Sequence, residues 1–288
     1  MATKILVTGA TGATGQQLVE KLSGMEGISV QAATRSIDKY KNNSNIEYVR
    51  FDYNDVSTIR NALQGVDKVF LVTAAVPEMF ENEKRVIEEI KNASVKQIVK
   101  LSVAGAGLGE EGITFGKLHY RLEEMVKETG IAYTLLRPMS FMQNYSNFMS
   151  QAIKTQDAFY LPMGDGKVSI VDTRDIASVA VKAFTEQGHE GKTYTLTGPE
   201  PLSNYEIADI LSSVLERKIS YVDVSEDQAR QGMGEGGMTD WSIERMLELY
   251  RINKAGHTAN VSSDIEQVTG VKPTSFEQFA RDYSMTFK

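Results

Sequence analysis

The stretch Lys4-Ile5-Leu6-Val7-Thr8-Gly9-Ala10-Thr11-Gly12-Ala13-Thr14-Gly15 decides how the chain reads. A short apolar run ends in threonine and passes at once into a regularly spaced glycine triplet. A strand that turns sharply into a helix needs glycine wherever a Cβ would clash. The helix that follows offers free N–H groups and a positive dipole end, which suit a pyrophosphate. Thr11, Ala13 and Thr14 are small enough to let phosphates approach, and the hydroxyls of Thr8, Thr11 and Thr14 can add contacts. A bare glycine triplet is weak evidence. Here it stands at the first strand–helix junction of an alternating pattern, and dinucleotide binding at Gly9, Thr11, Gly12, Thr14 and Gly15 is expected.

Outward from this loop, apolar runs recur at 29–33, 46–51, 68–72, 97–101 and 132–136, each bounded by Gly, Asp, Asn or Ser. Segments with helical spacing lie between them. Leu18, Val19 and Leu22 share one face, as do Val86, Ile87 and Ile90, and Leu118, Leu122, Met125 and Val126. Strands alternating with helices imply parallel βαβ units, and nearly continuous apolar strands imply helices on both faces. The fold class is therefore α/β, a doubly wound parallel sheet of the Rossmann type, with a smaller α+β lobe toward the C-terminus. The expected division is a dinucleotide-binding domain over 1–150, with 168–200 adding to its sheet edge, and a substrate lobe over 151–288. In that lobe, strands are expected at 168–171, 192–196 and 219–222, and a helix at 172–184. Ser203 and Glu206 fit a capping box before a helix over 207–215. The glycine-rich 231–237 reads as a loop, and Gly232–Gly237 with Trp241 as a candidate lid.

Composition bounds the function. The chain has 288 residues, 41% hydrophobic and 24% charged, so it is a globular protein of one large domain or two modest ones. Lys plus Arg is 31 against 38 Asp plus Glu, a formal charge of −7. The basic field that a duplex binder needs is missing, so no nucleic-acid partner is expected. With no cysteine and only His119, His189 and His257, far apart in sequence, no metal site is expected. No apolar run approaches the roughly twenty residues of a membrane span. The sequence from Met1 runs directly into the first strand without the pattern of a signal peptide. A cytoplasmic protein with no membrane partner is expected, and no oligomeric state is read.

Which dinucleotide binds depends on the end of the second strand. NAD sites usually carry an acid there, about twenty residues past the loop. This chain has Arg35 and Ser36 instead. A guanidinium suits a 2′-phosphate through bidentate contact, so NADP(H) is preferred, with NAD(H) possible. Asp52, ending the third strand, can accept from an adenine amino group or serve as a turn residue before Asp55.

Several stretches together carry a family resemblance: VTGATGATG (7–15), ATRS (33–36), FDYND (51–55), KLSVAGA (100–106), HYRLEEMVKETGIAYTLLRPMSFMQNY (119–145) and DTRDIA (172–177). The chain resembles the NmrA-like group of atypical short-chain dehydrogenase/reductases, over essentially its whole length. It looks most like the bacterial NAD(P)H-dependent quinone, azo-dye and triphenylmethane-dye reductases. The resemblance implies a Rossmann domain with a smaller lobe, and a cofactor ribose passing Ala74, Ala75 and Pro138. It implies Ser102 at the place where the wider superfamily has its catalytic serine. The departure is at the Tyr-x-x-x-Lys pair, in which lysine lowers the tyrosine pKa for proton transfer. Phe115 stands at the tyrosine position and His119 at the lysine position. The one literal match, Tyr250 with Lys254, is discounted as a chance spacing. His119 is the remaining candidate to place the ribose or give a proton.

Hydride transfer needs no strong acid when the acceptor is electron-poor. Holding nicotinamide and acceptor close in a dry site is then enough. Phe141, Met142, Tyr145, Phe148 and Met149 follow the sixth strand and can form a stacking wall for a flat aromatic or quinone-like acceptor. Asn144, a polar side chain among aromatics, is a further substrate candidate. The expected activity is an NAD(P)H-dependent oxidoreductase. The alternatives are an NADP-sensing regulator without turnover and a sugar-nucleotide epimerase-like enzyme.

Overall fold

The computed structural model describes residues Ala2–Asn43 and Asn45–Lys288; Met1, at the head of the amino-terminal reading above, lies outside them. The chain alternates β1 (Thr3–Val7), α1 (Ala13–Ser23), β2 (Ile28–Thr34), β3 (Ile46–Arg50), α2 (Val56–Leu63), β4 (Lys68–Leu71), α3 (Met79–Lys91), β5 (Gln97–Leu101), α4 (Thr114–Glu128) and β6 (Ala132–Pro138). It continues through α5 (Ser150–Gln156), β7 (Ala158–Leu161), β8 (Lys167–Val168), α6 (Thr173–Thr185), β9 (Lys192–Leu196), β10 (Leu202–Ser203), α7 (Asn204–Leu215) and β11 (Ser220–Asp223). Five helices close it: α8 (Glu226–Glu235), α9 (Asp240–Lys254), α10 (Asp264–Thr269), α11 (Phe276–Asp282) and α12 (Ser284–Phe287). Packing divides these elements into two compact units. The first runs to Arg137 and includes Ile176–Thr195; the second comprises Pro138–Asp175 and Leu196–Lys288.

The first unit holds a seven-stranded sheet in the order β3-β2-β1-β4-β5-β6-β9. The pairs β1–β2, β2–β3, β1–β4, β4–β5 and β5–β6 are parallel, so each needs a crossover. The strand order reverses at β1, which has β2 on one side and β4 on the other. In open α/β sheets, ligands bind outside the carboxyl ends of the strands at that switch point. The strands are apolar because helices cover them: every residue of β5 is buried. Leu18, Val19 and Leu22 of α1 and Val86, Ile87 and Ile90 of α3 supply the covering faces. The segment 56–63 carried no helix in the sequence reading and forms α2. Asp55 caps it by accepting from Ser57 N (3.1 Å), and Thr58, Ile59, Ala62 and Leu63 make its buried face.

The second unit has its own core, built around Phe159, Phe276, Phe279 and Phe287. β7 pairs parallel with β11, and β8 antiparallel with β10. The strand expected at 168–171 shortens to β8. Ser169 N bonds to Thr258 O and Val171 N to Ser140 O, so no single neighbour extends the ladder. The Ser203–Glu206 capping box forms in both directions. The glycine-rich 231–237 is not a loop: most of it is the last turns of α8. A second reciprocal capping box, Ser225 with Gln228, starts that helix and outweighs the poor helix propensity of glycine. Among the described residues, no helix is long and apolar enough to cross a membrane.

Candidate active site

The glycine loop is built by contact, not by flexibility. Gly9 lies at φ +56°, and a Cβ there would stand 2.7 Å from Val72 Cγ1. A Cβ on Gly15 would stand 2.2 Å from the Gly9 carbonyl oxygen. Helix α1 therefore starts directly on the turn that ends β1, and only hydrogen fits at the contact. Gly12 caps α1 in an extended conformation with no side-chain bond, and the first turn holds no acid. The helix end is left open to an anion from outside. Thr14 is buried, and its hydroxyl has no partner among the described residues, which marks a place for an outside acceptor. Thr11 and Gly12 are exposed. Thr8 departs from expectation: its hydroxyl donates to Phe70 O (3.0 Å) and accepts from Val72 N (2.8 Å). It splices β1 to β4 and is not available for phosphate. The cradle, the open helix end and the orphan hydroxyl fit a dinucleotide pyrophosphate.

The other expected contacts end the neighbouring strands. Arg35 and Ser36 are exposed just past β2, and Ser36 N bonds to Thr34 Oγ1 (3.2 Å). Asp52 follows β3, and its Oδ1 accepts from Asn54 N (3.0 Å) in the turn before Asp55. Ala74 and Ala75 are exposed after β4. These positions share the carboxyl edge of the parallel sheet with the glycine loop. Beside them, burial pushes the Tyr53 phenol up to about 12, so it stays protonated.

Behind this edge the first unit buries a layer of charge that the sequence reading missed. Lys100 on β5 forms an ion pair with Glu83 on α3, and both side chains are wholly buried. Lys100 Nζ lies 3.5 Å from Nδ1 of His119 on α4. Burial first, and the Lys100 charge second, hold His119 well below its ordinary value of 6.5, so its imidazole is neutral. The Phe115 ring packs edge-on against it at 4.8 Å. Ser102 donates to Glu123 Oε1 (2.5 Å), and Glu123 is held by Arg137 at the end of β6, Nε to Oε1 at 3.0 Å. The Ser102 hydroxyl is thereby committed. Part of the signal is in the sequence, though not which charges meet. Lys100 interrupts an apolar strand. Glu83 and Glu123 sit on the faces defined by Val86, Ile87 and Ile90 and by Leu122 and Val126. A buried lysine requires an acid.

The second unit contains a cavity of about 780 Å³. Phe141, Asn144 and Tyr145 line it, as do Phe148 and Met149. Pro138, buried at the end of β6, precedes Phe141 by three residues. Residues Tyr145–Met149 form a π-helix, a widened turn that often marks functional positions. The Tyr145 hydroxyl donates to Asn204 Oδ1 (2.7 Å), and burial raises its phenol far above the usual range. Its ring, not its hydroxyl, is available to a ligand. Two expectations do not hold for this wall. Met142 is core, 1% exposed. Trp241 is not among the lining residues; its ring lies under the Arg245 guanidinium at 5.7 Å. Met163, Met233, Met238 and Met246 also line it, as do Gly232 of α8 and Gly236 just past its end. They come from segments too far apart in sequence to be grouped by reading. Tyr250 also lines the cavity, and Lys254 extends toward Asp223 (3.9 Å). Among the described residues no group of three or more His, Cys, Asp or Glu is placed to hold a metal.

A parallel doubly wound sheet with a glycine cradle at its switch point defines a dinucleotide-binding Rossmann protein. Comparison with known proteins narrows the class. The NmrA-like family matches residues 1–284. The NAD(P)H azoreductase of Xenophilus azovorans is 36% identical, covering 98% of this chain and 99% of that protein. The Citrobacter sp. triphenylmethane reductase complexed with NADP(H) superposes with a TM-score of 0.85 at 25% identity, over 96% of this chain and 99% of that one. The NADPH-dependent quinone oxidoreductase of Escherichia coli, complexed with NADPH, gives a TM-score of 0.85 at 25% identity, over 98% and 99%. The chain belongs to the NmrA-like family.

Proposed function

We propose that this protein is an NAD(P)H-dependent oxidoreductase that transfers hydride to a flat, electron-poor acceptor such as a quinone or dye, with NADP(H) preferred. The observation that carries the reading is the glycine cradle, whose close contacts set the open N-terminus of α1 directly against the end of β1, where its backbone N–H groups can meet a phosphate. The named activities of similar proteins agree with it.

In this reading Gly9, Thr11, Gly12, Thr14 and Gly15 hold the pyrophosphate. Arg35 and Ser36 take the 2′-phosphate, Asp52 the adenine edge, and Ala74, Ala75 and Pro138 leave room for the ribose. A bound reduced nicotinamide supplies the hydride. Phe141, Tyr145, Phe148 and the methionines exclude water around the acceptor and stack on it. Asn144 offers the wall a polar contact. No Tyr-x-x-x-Lys relay is required, because the reduced acceptor takes its proton from water. His119 acts as a neutral hydrogen-bond donor. Ser102 orients Glu123, and through it Arg137.

The test is one titration. NADPH and then NADH are added to the purified protein while fluorescence is followed, and a simple quinone is added last. NADPH binding at least tenfold tighter than NADH, with quinone-dependent loss of reduced nicotinamide, is expected. Tight binding without oxidation across quinones and dyes would overturn the reductase reading in favour of an NADP sensor.

A further inference from the structure

We infer that Lys100, paired with Glu83, is a positioning residue that fixes His119 as the tautomer protonated on Nε2. The inference rests on the reductase reading only in giving His119 a task; its geometry stands apart. An ammonium group has donors and no acceptor. At 3.5 Å from Nδ1, Lys100 Nζ can face only an unprotonated ring nitrogen, which puts the single proton of a neutral imidazole on Nε2. Glu83 forms an ion pair with the lysine in a site where neither side chain reaches water.

The charged groups around the ring are few. Lys100 comes from β5 and Glu83 from α3 behind it. Glu123, on the ring's own helix, is engaged by Ser102 and Arg137. Phe115 covers the ring edge-on. The familiar relay places a lysine one helical turn from a tyrosine to make it acidic. In this chain the lysine beside the site comes from strand β5 and faces a histidine, and the result is a fixed donor. Such a donor suits an acceptor that needs its oxygen polarised, and it does not suit one that needs an acid.

The test is long-range nitrogen–proton NMR of the imidazole rings of the full-length protein. The chain has only three histidines, and His119→Gln assigns the signal by its disappearance. In the wild type, His119 should show a protonated Nε2 and a bare Nδ1, unchanged from pH 6 to 9. In the double variant Glu83→Met with Lys100→Met, which removes both buried charges together, the preference for Nε2–H should collapse to a mixture. The quinone kcat/KM should fall about tenfold, the worth of one hydrogen bond, while the NADPH Kd stays within twofold. A wild-type ring protonated on Nδ1, or one titrating near 6.5, would overturn the inference whether or not the double variant folds. So would a double variant that keeps the wild-type tautomer. Because the tautomer is read without turnover, absence of quinone reduction would strike the reductase reading and leave this result standing.

Discussion

In the function proposed above, the glycine loop of the first unit and the cavity of the second would recognise their ligands by different means. The loop uses backbone. Its chemistry is set by where a Cβ cannot be, and the residues that matter are contiguous in sequence. The cavity uses side chains drawn from 140–170 and 224–253, and its chemistry is set by what those residues jointly leave uncovered. A backbone device tolerates almost no change at its contact points. A cavity with several flexible methionine side chains adapts to many occupants, which suits acceptors defined by flatness and electron poverty. On the proposed reading, the cofactor is specified locally and the acceptor collectively.

The largest effect that sharpens this contrast lies beneath the loop. Lys100→Met alone leaves Glu83 buried without its counter-charge and should cost about 3–5 kcal/mol of stability, whereas the double change with Glu83→Met should cost far less. Chemical denaturation of the three proteins measures this. Equal losses in the single and double variants would show that the charges are not coupled.

Next comes the loop itself. Gly15→Ala drives a methyl group into the Gly9 carbonyl and should weaken NADPH binding by about a hundredfold, roughly 3 kcal/mol. Calorimetry reads the loss directly. An unchanged Kd would remove the backbone account of the site.

Arg35→Ser should lower NADPH affinity about tenfold and leave NADH affinity nearly unchanged, since only the 2′-phosphate distinguishes the two. Paired titrations test this, and a parallel loss for both cofactors would assign Arg35 to general electrostatics. The smallest effect is the pH response. His119 is neutral in the fold, with its folded value depressed below the unfolded 6.5. Its contribution is therefore present above 6.5 and is lost as the pH falls from there toward the folded value. The slope is at most about 1.4 kcal/mol per unit for one proton. Melting temperature should decline below pH 6.5 in the wild type, and less so in His119→Gln.

Legibility in the sequence followed the same contrast. The strand at 97–101 read correctly because a largely apolar run sets its limits, and that at 192–196 because its threonines and tyrosine favour extended backbone. The Ser203–Glu206 box was legible because both partners lie within one turn. The helix over 226–235 was not, since its glycines argue against it and its support comes from a cap and from ion pairs such as Arg251 with Glu226. The glycine cradle could be read because it stands directly at a strand end, and the place of Phe141, Asn144 and Tyr145 on the cavity wall because they follow β6 closely in sequence. Lys100, Glu83 and Glu123 could not be joined by reading, because their meeting depends on how α3 and α4 pack on β5. Trp241 reads as part of a lid because it follows Gly232–Gly237, and nearness in sequence says nothing about which way a side chain points.

The most direct test of the account separates the two devices within one protein. Ala229, on α8, lines the cavity and can be enlarged to tryptophan within its volume. In Ala229→Trp the quinone KM should rise at least tenfold while the NADPH Kd stays within twofold of wild type. Unchanged quinone kinetics, or a loss of NADPH binding of similar size, would contradict the division of cofactor and acceptor between the loop and the cavity.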